Sequence, residues 1–427
     1  MTWTMTWVMT LLPVVLLLCG FPIFVTILAT CAVVIVSFYA IPAGALPQIM
    51  FGTLDNSALL AVPFFIFAGE IMGTGGISRR LVDWSRSLFG GIKASLPITT
   101  IATCVVFGAI SGSSAATVAA VGRITFKPMV DAGYDRKFAA GLLTASGLID
   151  NMIPPAIAMI LYAAIAEQSV VAVFSAGIVP GILFALAFAA YVLLRGQLGA
   201  IDRPEPFRLA RLGQETGRAF WALGLPVIIL GGIYSGVITA TEAGGVSCVY
   251  AILVTMLIYR EVTWPDLFAI ACRSAYVTSQ VMIILAAAGV YSWLLTTSGA
   301  GPAITSIFRE FALPPWAVLL LINVLLLLIG IFLDPPPAIL LLTPVLIPIV
   351  KDAGIDLVHF GIIMTANLSI GCFTPPFGVN IFVAQAVFKQ PAAVIYAGVM
   401  PFIWISVLVL MLITYLPLLS VGILRLL

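Results

Sequence analysis

The sequence predicts an all-α polytopic membrane protein made of two inverted-topology repeats. Each repeat would hold about five transmembrane helices and one re-entrant hairpin. Three observations point to this fold: the composition, the distribution of basic residues and an internal repeat. Of the 427 residues, 62% are hydrophobic and 8% are charged. So few charges cannot cover a soluble protein of this length, so most of the surface must face lipid.

The apolar segments leave room for roughly ten to twelve crossings, since one crossing needs about 20 apolar residues. The first apolar run extends from Val8 to Ala40. Gly20-Phe21-Pro22 interrupts it, which leaves open whether it forms one helix or two. No basic stretch or A-x-A-like cleavage site marks it as a signal peptide, so we expect it to be retained.

The basic residues indicate which loops share one side of the membrane. Five segments hold 16 of the 19 Lys and Arg residues: 76–93, 123–137, 195–218, 260–273 and 386–392. The positive-inside rule expects such a bias of cytoplasmic loops. The sequence therefore predicts that these five segments face the cytoplasm.

Two segments are predicted to be re-entrant hairpins. Residues 94–122 run from one basic loop to another, but 29 residues are too few for two crossings at about 1.5 Å rise per residue. This hairpin would turn at the polar residues Ser111, Gly112, Ser113 and Ser114. A second hairpin is predicted at 311–350, entering from the outside and turning at Asp334-Pro335-Pro336-Pro337.

The internal repeat appears when the chain is shifted by 221 residues. TASGLIDNMIPP at 144–155 then falls on TANLSIGCFTPP at 365–376. The repeat predicts two domains, 1–218 and 219–427. An odd number of crossings in the first copy would turn the second upside down, as in many secondary transporters.

The two predicted domains would be joined by an interfacial helix. In residues 203–220 the charged side chains Arg208, Arg211, Glu215 and Arg218 share one helical face, and apolar side chains share another. Such an amphipathic pattern is typical of a helix that lies in the membrane interface.

Each repeat also contains a Pro-Pro pair inside an apolar segment, which predicts a broken helix. Proline removes a backbone donor and pushes the preceding residue out of helical geometry. We expect helix 138–165 to be unwound at Asp150–Ile153 and helix 360–387 at Gly371–Thr374. Thr374 would cap the second half-helix, with Pro375 in its first position.

Unwound backbone in a membrane survives only where it is buried or lines a cavity. Its carbonyls suit Na⁺, and half-helix N-termini attract an anion. Each hairpin tip would meet the broken helix of its own repeat, giving two related sites. The alternative is that these features serve packing only, since proline kinks and Gly/Ser clusters also occur in ordinary membrane helices.

Several motifs resemble one transporter family. GAISGSSAATVAAVG (108–122), ITATEAGG (238–245), LTPVLIP (342–348) and GCFTPPFGVNIFVA (371–384) are similar to the DctM-type large permease of tripartite ATP-independent periplasmic (TRAP) transporters. The resemblance runs over essentially the whole chain. It implies an elevator-type fold and Na⁺-coupled import of a small organic anion such as a C4-dicarboxylate or sialic acid. The implied partners are a small four-helix membrane permease subunit and a periplasmic substrate-binding protein, with no cofactor beyond the coupling Na⁺.

The resemblance also implies which residues form the sites. The Na⁺ ligands would come from two groups: Ser111, Gly112, Ser113, Ser114, Asp150, Asn151 and Pro154, and Asp334, Thr343, Gly371, Thr374, Pro375 and Gly378. The substrate would contact Ser113, Ser114, Pro155, Thr374, Pro376 and Asn380. Three features depart from the family pattern: Asp150 stands where glycine is usual, Ala156 stands where a hydroxyl residue is usual, and Asp334-Pro335-Pro336-Pro337 stands where Asp-Gly-small is usual.

A few other polar residues have competing interpretations. Asp150 could bind a cation, carry a proton or be held by a neighbour such as Asn151. Glu242 and Glu70 are expected to be structural, Glu242 through hydrogen bonds to nearby threonines and Glu70 near the basic loop with Arg79 and Arg80. The single histidine, His359, is expected to be a solvated helix cap rather than a proton relay.

The same residues argue against other functions. None of the five lysines follows a glycine, so the chain has no phosphate-binding loop for an ATP-driven pump. Neither a nucleophile–base pair nor metal-ligand spacing among the six cysteines supports an enzyme or a transition-metal site. A channel would not explain two inverted hairpins, and nothing indicates nucleic-acid binding. The nearest alternative is a stand-alone Na⁺/carboxylate or anion transporter that needs no binding protein.

Overall fold

The computed structural model describes residues 3–39, 44–74, 76–196, 207–298 and 313–425, and all regular structure in these ranges is helical. Within these ranges, seven helices are long and apolar enough to cross a membrane, or eight if one bent pair is a single span. The prediction of an all-α membrane protein is confirmed. The number of full-length spans is lower than ten to twelve, because several apolar helices have only 10–17 residues.

The first half of the chain forms ten α-helices within the described ranges. In chain order they are α1 (Trp3–Leu18), α2 (Ile23–Phe38), α3 (Ala45–Leu54), α4 (Ala61–Thr74), α5 (Ile77–Phe89), α6 (Ser95–Ser111), α7 (Ser114–Asp131), α8 (Arg136–Met152), α9 (Ile157–Ile165) and α10 (Val170–Gly196). The N-terminal apolar run is therefore two helices, which meet at the predicted Gly20–Pro22 interruption.

The second half forms eight α-helices within the described ranges. Its α-helices are α11 (Leu209–Tyr234), α12 (Ala240–Ile252), α13 (Trp264–Thr297), α14 (Pro315–Gly330), α15 (Pro335–Asp352), α16 (Leu357–Gly371), α17 (Val379–Phe388) and α18 (Ala392–Tyr415). A short π-helical segment, Leu253–Ile258, follows α12.

The two predicted hairpins are helix pairs. Hairpin 1 consists of α6 and α7, which pack against each other and against α8. Its return helix ends at Asp131, beyond the predicted end at residue 122. Hairpin 2 consists of α14 and α15, and residues 311–312 of its predicted start lie outside the described residues. Its three prolines do not form the turn: they are the first residues of α15, and Asp334 is the N-cap.

Both predicted helix breaks exist, but their limits differ from the prediction. The first break is Ile153–Ala156, where α8 and α9 are bent by 41°. Asp150 and Asn151 are helical, since proline disfavours helical geometry only in the residue before it. The second break, Cys372–Gly378, is longer. Gly378, not Thr374, is the N-cap of α17.

The predicted interfacial linker is not a separate helix. Residues 209–220 are the first part of α11, which continues to Tyr234, and residues 203–206 lie outside the described residues. The predicted domain boundary at 218/219 therefore falls inside one helix. With 26 residues at about 1.5 Å each, α11 is longer than the roughly 30 Å thickness of a hydrocarbon core. The charged residues at its start can therefore reach the membrane interface.

Two helices organise the packing. The long helix α13 contacts α2, α3, α4 and α15, whereas α8 contacts α6, α7, α16 and α18. The short helix α5 lies between α11 and α6. It is attached by an ion pair between Arg80 Nη2 and Glu261 Oε1 (2.7 Å) and by a hydrogen bond from Trp84 Nε1 to Thr216 Oγ1 (3.1 Å).

Candidate functional site between the hairpin tips

The tips of both hairpins line one cavity of about 210 Å³. Hairpin 1 contributes Gly112, Ser113 and Ser114, and hairpin 2 contributes Asp334 with the three prolines that follow. Asn151 from the end of α8 and Gln280 from α13 complete its polar lining. The cavity thus lies between the two tips on one side and α13 on the other.

The tip of hairpin 1 requires glycine at position 112. Gly112 has a φ of +64°, and a Cβ there would lie 2.6 Å from the Pro155 carbonyl oxygen in the first helix break. Both the backbone conformation and this close approach exclude a larger side chain. Glycine therefore allows hairpin 1 to touch the broken helix of its own half.

A buried carboxylate supports this tip from behind. Thr117 Oγ1 donates a 2.7 Å hydrogen bond to Asp150 Oδ1, and the Ser113 backbone N–H faces the same carboxylate. Because Ser113 is the N-cap of α7, the Asp150 carboxylate lies beside the N-terminus of this helix, where negative charge is favourable. The other oxygen, Oδ2, is buried without a hydrogen-bond partner among the described residues, as is Ser111 Oγ.

Two further hydrogen bonds join residues from the two halves of the chain. Ser114 Oγ donates to Asn380 Oδ1 (3.2 Å), and Asn151 Nδ2 donates to Ser369 Oγ (3.0 Å). Asn151 is therefore bonded to Ser369, and the neighbour that holds Asp150 is Thr117 rather than Asn151. The first of these bonds joins hairpin 1 to the second broken helix, and the second joins the two broken helices to each other.

The tip of hairpin 2 has fewer polar contacts. Asp334 has no side-chain capping hydrogen bond, and Cys372 Sγ lies 3.6 Å from Asp334 Oδ1. Here the ends of α14 and α16 cross at two glycines. A Cβ on Gly371 would overlap the Gly330 carbonyl group, so the backbones are in direct contact.

The site residues predicted from the sequence fall into three groups. Gly112, Ser113, Ser114, Asn151 and Asp334 line the cavity. A second group adjoins the lining residues in sequence or by contact: Ser111, Asp150, Pro155 and Asn380, whereas Gly371 lies against Gly330 at the end of α14. The remaining predicted residues do not line it: Pro154, Thr343, Thr374, Pro375, Pro376 and Gly378.

The structure explains why two of the predicted site residues, Thr343 and Thr374, do not line the cavity. Thr343 is eight residues into α15 from its first residue, about 12 Å along the helix, and its hydroxyl lies 3.5 Å from Met364 Sδ. Thr374 Oγ1 donates to the Ile370 carbonyl (2.8 Å), a local bond that turns this hydroxyl back onto its own helix.

Sequence reasoning missed four residues at this site. Thr117 and Ser369 hold Asp150 and Asn151, Cys372 contacts Asp334, and Gln280 is the polar side chain that α13 presents to the cavity. Only Gln280 has a sequence signal, as an amide inside an apolar segment. The other three depend on contacts between helices that are far apart in the sequence.

Three polar residues outside the cavity were also predicted. Glu242 forms a capping box with Thr239 at the start of α12, so its structural role is confirmed. Glu70 Oε2 lies 3.8 Å from Arg273 Nε, an ion pair that agrees with a structural role. The prediction of a solvated His359 is wrong, because Asp356 caps the helix and the buried ring contacts Ser420 Oγ (2.6 Å) and the Thr414 carbonyl (3.2 Å).

The family model of the DctM component of tripartite ATP-independent periplasmic transporters matches residues 10–419. The chain belongs to this family. The C4-dicarboxylate TRAP transporter large permease DctM of Pseudomonas aeruginosa is 39% identical over 87% of each chain. The isethionate TRAP transporter permease DctMQ of Oleidesulfovibrio alaskensis is 38% identical over 94% of this chain and 63% of the relative, which is the longer protein.

A solved structure supports the fold of this TRAP permease. The YdaH transporter of Alcanivorax borkumensis is similar with a TM-score of 0.65 over 94% of this chain and 97% of that one. The two sequences are only 13% identical, so the similarity concerns the fold alone. Family membership also places this multi-pass chain in the bacterial inner membrane.

Proposed function

We propose that this TRAP permease imports a small organic anion, coupled to Na⁺ and dependent on a binding protein, by an elevator movement of its hairpins. The observation that carries the proposal is the single cavity between both hairpin tips and α13. If the hairpins and broken helices moved past α13 together, they would carry the contents of this cavity with them. Such movement around a site near the midplane is typical of transporters with broken helices.

The anionic group of the substrate would bind at hairpin 1. Among the residues that the structure describes, no Arg or Lys lines the cavity, so we expect backbone N–H groups and hydroxyls to supply the contacts. The N-terminus of α7 offers both, because its first N–H groups have no partner within the helix and Ser113 and Ser114 lie beside them. The macrodipole of α7 adds positive potential at the same point.

Na⁺ would bind where helix C-termini meet. At the first break the ends of α6 and α8 are adjacent, and at the second break the ends of α14 and α16 cross. Helix C-termini carry negative partial charge, and their free carbonyls suit Na⁺. Unpartnered buried oxygens of Ser111 and Asp150 lie near the first break, and Asp334 lies near the second.

This arrangement gives a physical reason for coupling. An ionised Asp150 beside the N-terminus of α7 repels an anion bound there, and a Na⁺ at the first break cancels that charge. Anion affinity would therefore rise when Na⁺ binds. Linkage requires the converse as well, so the anion would raise the affinity for Na⁺ by the same factor.

The family description calls the transporter tripartite, which supports two further components. We propose a small four-helix membrane subunit and a periplasmic binding protein that delivers substrate. The two relatives carry names that refer to C4-dicarboxylates and isethionate, both small organic anions. A carboxylate or sulfonate of similar size is the substrate class that we propose for this chain.

The test is uptake of radiolabelled organic anions into proteoliposomes that contain the permease and its small subunit. We expect uptake only with an inward Na⁺ gradient and the cognate binding protein. Na⁺-driven uptake without a binding protein would instead support a stand-alone transporter. Uptake that is independent of the Na⁺ gradient would refute the proposal that transport is coupled to Na⁺.

A matched pair of variants addresses the cavity itself. Ser113→Ala removes a hydroxyl at the tip of hairpin 1 and should lower uptake about fivefold, the effect of one hydrogen bond worth about 1 kcal/mol. Ser279→Ala is the control, because its hydroxyl donates to the Ala275 carbonyl within α13. Equal uptake by both variants would place the anion elsewhere.

A further inference from the structure

The two hairpin tips differ in the number of backbone donors that they offer to the cavity. In any α-helix the N–H groups of the N-cap and of the first three residues lack partners within the helix. At α7 these belong to Ser113, Ser114, Ala115 and Ala116. The Ser113 N–H faces Asp150, and of the other three donors those of Ser114 and Ala115 belong to residues that line the cavity.

At α15 the corresponding residues are Asp334, Pro335, Pro336 and Pro337. Proline has no N–H group, so only the Asp334 N–H remains. The next donor, Ala338, is already bonded to the Asp334 carbonyl (3.2 Å). Hairpin 2 therefore begins its return helix almost without the groups that make a helix N-terminus an anion site.

Charge increases this difference. The Asp334 side chain lines the cavity at the tip of hairpin 2, together with the three prolines. A carboxylate and three prolyl rings form a poor surface for a second anion, because neither donates a hydrogen bond. A Na⁺ beside Asp334 would cancel its charge but would not restore the missing N–H groups.

We infer that the substrate of this permease carries a single anionic group. This group binds at the N-terminus of α7, and the opposite end of the substrate is neutral or cationic and donates hydrogen bonds to Asp334. Hydroxylated or amino-substituted monocarboxylates and monosulfonates fit this description, whereas dicarboxylates do not. The inference rests on the proposed function, since it specifies the substrate of the same cavity.

The test compares ligands that differ in one end only. Succinate, 4-hydroxybutyrate and 4-aminobutyrate share a carboxylate on a four-carbon chain, and similar sets exist at three and five carbons. Binding is measured on the purified full chain in Na⁺ buffer, from the shift of the thermal unfolding midpoint with ligand concentration. In every set that binds, we expect the hydroxy or amino compound to bind at least about tenfold more tightly than the diacid.

Restoring the donors should reverse the preference. The triple variant Pro335→Ala, Pro336→Ala, Pro337→Ala returns three N–H groups to the start of α15. We expect it to raise the affinity for the diacid, relative to the hydroxy acid, at least about tenfold. Pro348→Ala is the control: it lies near the other end of α15 and should leave the ratio unchanged.

Asp334→Asn provides a second route if the triple variant does not fold. This variant keeps the prolines and removes the charge. It should also raise the affinity for the diacid relative to the affinity for the hydroxy acid. The inference would be overturned if the wild-type protein bound diacids more tightly than the hydroxy or amino compounds of the same chain length. It would also be overturned if folded variants showed the same ratio of these affinities as the wild type. Na⁺-dependent uptake of a diacid would also overturn the inference about the substrate, but it would leave the proposed function intact. Failure of every anion to bind or be transported would refute the proposed function, and the inference with it.

Discussion

Hairpin 1 is held at its tip by buried hydrogen bonds in addition to the close approach of Gly112 to Pro155, whereas hairpin 2 is held mainly by contact between backbones. Around the first tip, Thr117 bonds Asp150 and Ser114 bonds Asn380. Around the second, Gly330 and Gly371 cross without side chains between them, and Asp334 has only the thiol of Cys372 beside it. The same helical arrangement is thus stabilised by polar groups in one half and by close packing in the other.

Because the two hairpin tips are supported differently, the same kind of substitution should affect their stability to different extents. A close-packed glycine crossing tolerates no added atom, because neither backbone can move aside. A hydrogen-bonded tip tolerates a change of shape better than the loss of one partner, which leaves a buried polar group unsatisfied. Each prediction below changes one of these supports.

The largest loss of stability is expected from Gly371→Ala. Its methyl group would overlap the Gly330 carbonyl, so α14 and α16 must separate at a cost of about 3 kcal/mol, the upper part of the range for overpacking. The thermal unfolding midpoint of the purified protein measures this. Gly231→Ala in α11 is the control, since a Cβ there meets nothing within 4 Å, and its midpoint should not fall.

An intermediate loss is expected from Thr117→Val. The substitution keeps the shape of the side chain but removes the hydroxyl that donates to Asp150, at a cost of about 2 kcal/mol for a hydrogen bond to a charged group. Thr125→Val on the same helix removes a hydroxyl that donates only to the Val121 carbonyl, and should cost less. Equal falls in the unfolding midpoint would show that the Asp150 contact does not stabilise hairpin 1.

The smallest change in stability is expected from Asp334→Asn. This side chain has only the thiol contact, so the free energy of unfolding should change by no more than about 0.5 kcal/mol. Uptake should nevertheless fall about tenfold, because a charged group at the proposed site is lost. Asp131→Asn at the exposed end of α7 is the matched control and should alter neither quantity. A large fall in stability would contradict the view that hairpin 2 is held by packing.

Local rules predicted where the helices break, but not how far each break extends. The Pro-Pro pairs predicted both breaks correctly, because proline acts on its own and the preceding residue. The second break is longer than predicted, since Thr374 bonds back to Ile370 and leaves Gly378 to start α17. Three consecutive prolines were predicted to form a turn, yet each is acceptable in the first turn of a helix, where N–H groups lack partners.

The cavity could be predicted only in part. Ser113, Ser114 and Asp334 are recognisable as hairpin tips because polar residues interrupt apolar segments. The convergence of both tips on one cavity with Gln280 depends on the packing of α13, which no short pattern encodes. His359 shows the same limit: its ring contacts Ser420, 61 residues later in the chain.

The attachment of α5 has a mechanical consequence. Arg80 is bonded to Glu261 and lies 3.7 Å from the centre of the Tyr259 ring, and Trp84 is bonded to Thr216, so α5 is tied to the part of the chain that includes α11. Hairpin 1 begins only five residues after α5 ends. If hairpin 1 slides past α11, the backbone of residues 90–94 must therefore rotate to allow the movement. Two glycines and the left-handed Ala94 in this segment make it the hinge between α5 and hairpin 1.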